Sequence, residues 1–166
     1  MVIGIIGENC SGKSTLAGRV RDAVGAEIVT GKDYLRMAKS EAEARKLFQK
    51  KLKAAVTGSH MIYVVSEPEQ LALLPEGAVR ILVCADLNTI KERFKARMRG
   101  VLPGPVERML ESKHGIFDGG TYDYRFDGVC GDAGALCEQL MKRKQVSLCN
   151  RRSSRESSFA SWGWAC

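Results

Sequence analysis

Hydrophobic residues follow two patterns along the chain: short unbroken runs and longer stretches with helical spacing. The unbroken runs predict three strands buried on both faces, VIGII (2–6), MIYVV (61–65) and VRILVCA (79–85). Two further strands are predicted by EIVT (27–30) and by YDYRF (122–126), whose alternation of aromatic and charged residues is typical of a sheet edge. Fully apolar strands favour a parallel sheet, because helices cover both faces of such a sheet.

The stretches between the strands carry apolar residues three and four positions apart, which predicts helices. The first helix begins near Lys13 and ends at Gly25, a residue type that often caps a helix C-terminus. A second covers 40–58, where Ser40 and Glu43 have the spacing of a capping box. Its predicted buried stripe consists of Ala44, Leu47, Phe48, Leu52, Ala55 and Val56.

Three more helices are predicted in the second half of the chain. One is capped by Asn88 and ends at the GVLPGP break (100–105), a short one follows at about 106–113, and Asp132 can cap the last. The inward positions of the helix after Asn88 are Ile90, Phe94 and Met98. Alternation of strands and helices predicts an α/β fold with a five-stranded parallel sheet, helices on both faces and right-handed crossovers.

Length and composition fit one globular domain. The 166 residues are 45% hydrophobic and 27% charged, and no apolar run approaches the ~18 residues of a membrane-spanning helix. The first apolar run is too short for a signal peptide, so we expect a cytoplasmic protein without a membrane partner. Most of the net charge of +7 lies from Lys142 onward, which leaves +2 for residues 1–141. We therefore expect no nucleic acid partner.

The C-terminal tail and the cysteines lack, respectively, the pattern of a folded segment and the spacing of a metal site. Residues 145–166 are rich in Ser and Arg and lack periodicity, which predicts a poorly ordered basic extension after a domain at 1–144. Two histidines, His60 and His114, do not flank the cysteines at metal spacing, and no C-x-x-C pair occurs. We expect free thiols in a reducing compartment. The cysteines are Cys10, Cys84, Cys130, Cys137, Cys149 and Cys166.

The segment GENCSGKS (7–14) lies between the first strand and the first helix. It matches the phosphate-binding pattern G-x-x-x-x-G-K-S, in which glycines let the backbone turn and amide N–H groups point inward. Lys13 is predicted to reach the β- and γ-phosphates, Ser14 to bind Mg²⁺, and Thr15 to contact the α-phosphate. Cys10 is either a reactive thiol beside the nucleotide or a bystander. The predicted ATP-binding residues are Gly7, Glu8, Asn9, Cys10, Ser11, Gly12, Lys13, Ser14 and Thr15.

The phosphate-binding loop, the predicted strand order and the chain length are similar to those of the nucleoside monophosphate kinase group of P-loop kinases. This group includes adenylate-, cytidylate- and guanylate-kinase-like members, and the resemblance covers residues 1–141. The resemblance implies a three-layer P-loop NTPase fold with a small helical lid, and ATP and Mg²⁺ as cofactors. YDYRFDG (122–128) is similar to the Tyr-Asp segment that leads to the last strand in cytidylate- and guanylate-kinase-like members.

A further marker is IVTGKDYLR (28–36), which is similar to the acceptor-binding segment of adenylate-kinase-type enzymes. The resemblance implies an acceptor region at about 30–58. Its pocket would be lined by Thr30, Gly31, Asp33 and Arg36, with Lys32 as an apparent insertion. Asp33 equally fits a helix cap, and Arg36 a solvated helix face.

The Arg-rich helix and the break that follows it, at about 93–115, are similar to the family's lid. Lid arginines close over the transferring phosphoryl group, a role that the resemblance implies for Arg93 and Arg97. Arg99 also matches by position, and Arg108 and His114 match less well. Basic residues on an exposed helix face would give the same pattern.

The end of the third strand departs from the family. It reads VVSEPEQ instead of Asp-Gly followed by Pro-Arg, so no arginine is present there to bind a nucleotide phosphate. Glu67 is predicted to hold a Mg²⁺-bound water or to orient the acceptor; alternatively, it caps a helix that starts near Pro68. The lid region also lacks the four cysteines of a zinc site.

Together these features predict an ATP-dependent kinase that transfers the γ-phosphoryl group to a small anionic or hydroxylated acceptor, first of all a nucleoside monophosphate or nucleoside. A phosphate acceptor needs no general base, whereas an alcohol acceptor would make Asp33 the base. The alternatives are an alcohol kinase of the shikimate or gluconate type and an ATP-binding switch module without an acceptor. The residues predicted to be catalytic are Lys13, Asp33, Glu67, Arg93 and Arg97.

Overall fold

A computed structural model of the chain describes residues 1–145, in which five strands form one sheet. All neighbouring strands are parallel, in the order β2-β3-β1-β4-β5. The strands are β1 (Val2–Gly7), β2 (Glu27–Thr30), β3 (Met61–Val65), β4 (Val79–Cys84) and β5 (Tyr124–Asp127). β1 therefore lies at the centre of the sheet and β5 at one edge, where the alternating pattern predicted it.

Helices connect the strands within the described residues. They are α1 (Lys13–Val24), α2 (Gly31–Leu35), α3 (Glu41–Thr57), α4 (Leu87–Arg97), α5 (Gly104–Lys113) and α6 (133–145). A 3-10 helix, Pro68–Leu73, lies between β3 and β4.

Both faces of the sheet are covered, which makes the domain three-layered. Phe48 of α3 shares a buried cluster with Ile6 of β1 on one face. Leu16 of α1 and Leu140 of α6 share a second cluster with Ile5 on the other. Because successive strand residues point to opposite faces, a strand between two helical layers must be apolar throughout. The predicted α/β fold is confirmed.

The strand register places the ends of the central strands at one edge of the sheet. Ile6 lies opposite Val65, and Gly7 lies opposite Val83. The loop after β1 and the residues that follow β3 and β4 therefore meet at this edge. Ligands of open parallel sheets bind at the carboxyl ends of the strands.

Aromatic contacts join α2 to the core. Tyr34 stacks on Phe48 with ring centroids 5.2 Å apart and an interplanar angle of 11°. Phe48 also meets Tyr63 of β3 edge-on, at 4.8 Å and 67°. The short helix α2 is thus attached through α3 to a central strand.

The prediction that Leu47 and Met98 are buried is wrong. Leu47 is 47% exposed, because it lies about 60° from Ala44 around α3, on the side away from Phe48. Met98 is 43% exposed, because α4 ends at Arg97 and the chain leaves the helical path there.

The predicted cap of α4 is also wrong. Asp86, not Asn88, precedes the helix, and its carboxylate accepts a hydrogen bond from the Thr89 amide at 2.9 Å. Asn88 lies inside the first turn. The predicted caps Ser40 and Asp132 are confirmed, since each accepts a hydrogen bond from an amide of the helix it begins.

Four cysteines are free thiols: Cys10, Cys84, Cys130 and Cys137. Cys149 and Cys166, and the predicted extension after residue 145, lie outside the described residues. Among the helices of residues 1–145, none is both long and apolar enough to cross a membrane.

Candidate active site

The loop between β1 and α1 uses backbone conformations that glycine adopts most easily. Gly7 has a φ of 156° and Gly12 a φ of 113°, and a Cβ atom on Gly7 would lie 2.5 Å from the Val83 carbonyl oxygen. Gly12 is the N-cap of α1, and no side chain caps that helix. The first amides of a helix have no partner within it, so those of α1 remain available to an anion.

Lys13 is the first residue of α1, and its side chain reaches back into this loop. It is 6% exposed, and its Nζ donates a hydrogen bond to the Glu8 carbonyl oxygen at 2.5 Å. The Ser11 amide donates to the same oxygen at 3.2 Å. Burial lowers the pKa of Lys13 to about 8, and the charge of Arg97 acts in the same direction. Two donors of the loop thus converge on one oxygen atom, the kind of acceptor that a phosphate presents.

Cys10 belongs to the loop but is mostly covered by other residues. Its φ is 64°, which is unusual for a residue with a side chain, and it is 7% exposed. It shares a small buried cluster with Ile90 of α4 and Leu110 of α5. Cys10 therefore joins the loop to the two helices of the predicted lid.

A cleft of about 550 Å³ opens in front of the loop. One side, the loop wall, is formed by residues between 9 and 15. Within the described part of the chain, no aromatic side chain lines the cleft. The other lining residues come from separate segments, and we refer to them together as the facing wall: Thr30, Gly31, Lys32, Leu35, Val64, Ser66, Glu67, Gln70 and Arg97.

Thr30 and Asp33 form the capping box that begins α2. Asp33 Oδ2 accepts hydrogen bonds from the amide and the hydroxyl of Thr30, at 2.9 and 2.6 Å, and these bonds lower the pKa of Asp33. Asp33 and Arg36 are exposed and do not line the cleft. Of the four predicted acceptor residues, Thr30 and Gly31 line it.

Glu67 is the N-cap of the 3-10 helix and also lines the cleft. Its carboxylate forms an ion pair with Lys113 of α5 at 3.0 Å. Gln70, three residues later, accepts a hydrogen bond from the Ser66 amide at 3.0 Å, and its side-chain nitrogen occupies the space that a Cβ on Gly31 would need. Gln70 therefore joins the end of β3 to the start of α2.

Arg93 and Arg97 lie one turn apart on α4 but make different contacts. Arg97 lines the cleft. Arg93 donates from Nη1 to the carbonyls of Cys10 and Ser11, at 3.2 Å each, and from Nη2 to the Gly128 carbonyl at 2.9 Å. In this structure the Arg93 guanidinium contacts the backbone of the loop and does not line the cleft.

The weaker lid candidates lie away from the cleft. Arg99 and Arg108 are exposed and do not line it. His114 Nδ1 lies 3.1 Å from the Glu8 carboxylate, which also accepts a hydrogen bond from the Gly115 amide at 2.7 Å. The C-terminal end of α5 is thereby attached to the phosphate-binding loop through Glu8.

The fold brings Lys13, Ser14, Glu67 and Arg97 into one cleft from separate parts of the chain. Sequence reasoning missed Gln70 and Lys113. The capping-box spacing of Glu67 and Gln70 is a signal that could have found Gln70. Nothing in the sequence marks Lys113 as the partner of Glu67.

Among the described residues, the cleft offers too few oxygen ligands to bind a magnesium ion without a bound phosphate. The Ser14 hydroxyl and the Glu67 carboxylate line the cleft, and Mg²⁺ prefers such oxygen ligands. Within residues 1–145, no three His, Cys, Asp or Glu side chains are grouped so that they could hold a metal ion. Phosphate oxygens and waters would have to complete the coordination, as is usual for Mg²⁺.

Comparison with known proteins finds matches among solved structures, whereas no family model and no curated protein matches this chain. A sugar kinase from Janibacter sp. HTCC2649 is 18% identical, with a TM-score of 0.59, over 85% of this chain and 92% of that chain. Shikimate kinase from Acinetobacter baumannii is 15% identical, with a TM-score of 0.57, over 90% and 93%. Deoxyadenosine kinase from M. mycoides is 16% identical, with a TM-score of 0.51, over 87% and 100%.

At these identities the likeness establishes the fold, which is the three-layer P-loop NTPase fold of these kinases. The structures do not single out the nucleoside monophosphate kinase group that the sequence resembles.

Proposed function

We propose that this protein is an ATP-dependent kinase that transfers the γ-phosphoryl group to a small anionic acceptor. The observation that carries the proposal is the single cleft shared by the phosphate-binding loop and by polar and charged groups of the facing wall. Transfer requires the donor phosphate and the acceptor oxygen to lie in line and protected from water, and a cleft lined by both sets of groups can meet that requirement.

On the loop wall, the free amides at the start of α1 and the Lys13 ammonium would bind the β- and γ-phosphates. A smaller cavity of about 160 Å³ adjoins the loop beside Thr15, Arg19 and Gly128, and we assign the nucleoside part of ATP to it. Bound Mg²⁺, held by Ser14 and Glu67, would neutralise charge on the transferring group. Lys113 would keep the Glu67 carboxylate in place.

On the facing wall, the charges favour an acceptor that is itself an anion. Neither Lys32 nor Arg97 forms an ion pair with a carboxylate in residues 1–145, although both line the cleft. A phosphate monoester such as a nucleoside monophosphate would be bound by these two cations. Its phosphate oxygen is already a nucleophile, so no base is needed, which agrees with the engagement of Asp33 by Thr30.

A second candidate acceptor is a small hydroxylated acid. It is favoured by the lack of aromatic side chains along the described cleft, because nucleobases are commonly bound by stacking on aromatic rings. In that reaction Glu67, rather than Asp33, would take the proton of the acceptor hydroxyl, since Glu67 lines the cleft. Arg97 would stabilise the transferring phosphoryl group in both reactions.

An acceptor panel with ATP and Mg²⁺ tests the proposal. Release of ADP should rise sharply with one member of a panel of nucleoside monophosphates, nucleosides and small hydroxy acids, and should be nearly absent without an acceptor. A response to the hydroxy acids alone would select the second candidate. Hydrolysis that is independent of every acceptor, or no ADP release at all, would instead fit a nucleotide-binding switch.

A further inference from the structure

We infer that Arg93 is a positioning residue, which orients the amides of the phosphate-binding loop by holding two of the loop's carbonyl groups. The inference rests on the proposed function only for the identity of the ligand. The contacts themselves link three segments that are distant in sequence: the loop, α4 and the turn after β5.

The hydrogen bonds to the loop carbonyls also determine where the neighbouring N–H groups point. A peptide group is planar, and its C=O and N–H point in opposite directions. Because the carbonyls of Cys10 and Ser11 point at the Arg93 guanidinium, the N–H groups of Ser11 and Gly12 must point away from it. The Ser11 amide does so, since it lies with Lys13 on the Glu8 carbonyl oxygen.

The third contact joins the loop to the turn after β5. Gly128 accepts from Arg93, and its own amide donates to the Cys84 carbonyl at 2.7 Å. A Cβ atom on Gly128 would overlap the Ser11 carbonyl oxygen, so the turn packs directly on the loop backbone. The guanidinium therefore fixes the loop against the end of β4 and the turn after β5.

Charge and shape both favour arginine at this position. No carboxylate forms an ion pair with Arg93 in the described part of the chain, and the three hydrogen bonds of its guanidinium go to carbonyl oxygens. Hydrogen bonds from a charged donor are stronger than neutral ones, and the planar fork of arginine reaches several acceptors at once. A lysine has one nitrogen atom and cannot reproduce the three contacts from two separate nitrogens.

The test compares Arg93→Gln and Arg93→Lys with Lys95→Gln, a variant of an exposed cation on the same helix. Binding is measured with a fluorescent ATP analogue in the absence of acceptor, and turnover at saturating ATP. We expect nucleotide binding to be about tenfold weaker in both Arg93 variants, which corresponds to the loss of one to two hydrogen bonds, and kcat to change less than the binding constant. Lys95→Gln should match the natural protein.

Two results would overturn the inference. If Arg93→Lys binds nucleotide as the natural protein does, the positive charge alone is sufficient and the fork is not needed. If the Arg93 variants bind normally but lose kcat, Arg93 acts on the transferring phosphoryl group as a lid arginine.

Hydrogen exchange separates this inference from the proposed function, because it needs no ligand. In Arg93→Gln, amides of residues 9–13 and of residues 128–131 should exchange at least about tenfold faster, whereas the rest of the domain stays protected. Unchanged exchange in both segments would refute the positioning role even if the protein is a kinase. If the exchange changes but the natural protein binds no nucleotide, the proposed function fails and the positioning role stands.

A measurement on the natural protein covers the case in which the variants do not fold. The guanidinium protons of Arg93 should exchange slowly with water in nitrogen-detected NMR spectra, unlike those of exposed Arg99. Equally fast exchange for both side chains would contradict the three contacts.

Discussion

The two walls of the cleft are assembled in different ways. The loop wall is one continuous segment, and its donors are backbone amides and one buried lysine. The facing wall combines the start of α2, the residues after β3 and one arginine of α4. A short motif can encode the first wall by itself, whereas the second depends on how distant segments pack together. Nucleotide binding is therefore easier to read from such a sequence than acceptor choice.

Exchanging one lysine on each wall should have the largest effect. Lys13→Met should weaken ATP binding about 100-fold, because a buried charged donor to the phosphates is lost. Lys32→Met should leave ATP binding unchanged and weaken only the binding of the acceptor. Calorimetric titration of both ligands checks this, with thermal melting to verify folding. Equal losses of ATP affinity in the two variants would show that the walls are not functionally separate.

Gly128→Ala tests whether the loop wall depends on a segment outside the motif. Its Cβ atom would overlap the Ser11 carbonyl oxygen, so we expect the free energy of unfolding to fall by more than about 2 kcal/mol. Gly119→Ala is the control, since nothing lies within 4 Å of the added atom. Urea unfolding of the two variants gives the comparison; similar stability would show that the turn after β5 moves freely away from the loop.

Arg97→Gln should affect turnover more than ATP binding. Arg97 lines the cleft, so its loss should lower kcat about 30-fold while ATP affinity stays within about threefold. Arg99→Gln, at an exposed position on the same stretch, serves as the control. Steady-state kinetics together with equilibrium binding measure both effects. A loss of ATP affinity without a loss of kcat would assign Arg97 to ground-state binding.

The pH dependence of ATP binding above pH 8 should follow the protonation of Lys13 on the loop wall. Lys13 is protonated below its pKa of about 8, so above that pH ATP affinity should fall by about tenfold per pH unit. The unfolded chain binds more protons than the folded one between pH 8 and the ordinary lysine pKa of 10.5, so stability should rise with pH across that window. Both trends should be absent in Lys13→Met, and their persistence there would assign them to another group.

The smallest expected effect concerns α4, the helix that carries both Arg93 and Arg97. Asp86→Ala removes the cap of α4 and should cost about 1 kcal/mol of unfolding free energy, whereas Asn88→Ala should cost almost nothing. Denaturant titration distinguishes the two variants. The reverse order would restore the cap that the sequence suggested.

Most of the fold could be predicted from the sequence, but only part of the candidate site could. Strand positions followed from apolar runs such as MIYVV, because burial between two helical layers leaves no alternative composition. Leu47 and Asn88 were misjudged because periodicity does not define where a buried face or a first turn ends. The ion pair of Glu67 with Lys113 joins residues 46 positions apart, and the contacts of Arg93 join residues between 35 and 83 positions apart. No local pattern encodes such distances.

The stacked rings beneath α2 offer a spectroscopic signal from the facing wall. Tyr34 lies almost parallel to Phe48, so the magnetic field of one ring shifts the resonances of the other. A displacement of α2 by even a fraction of an ångström would change those chemical shifts. Binding of a ligand to the facing wall could thus be followed through the resonances of these two rings, without a coupled enzyme assay.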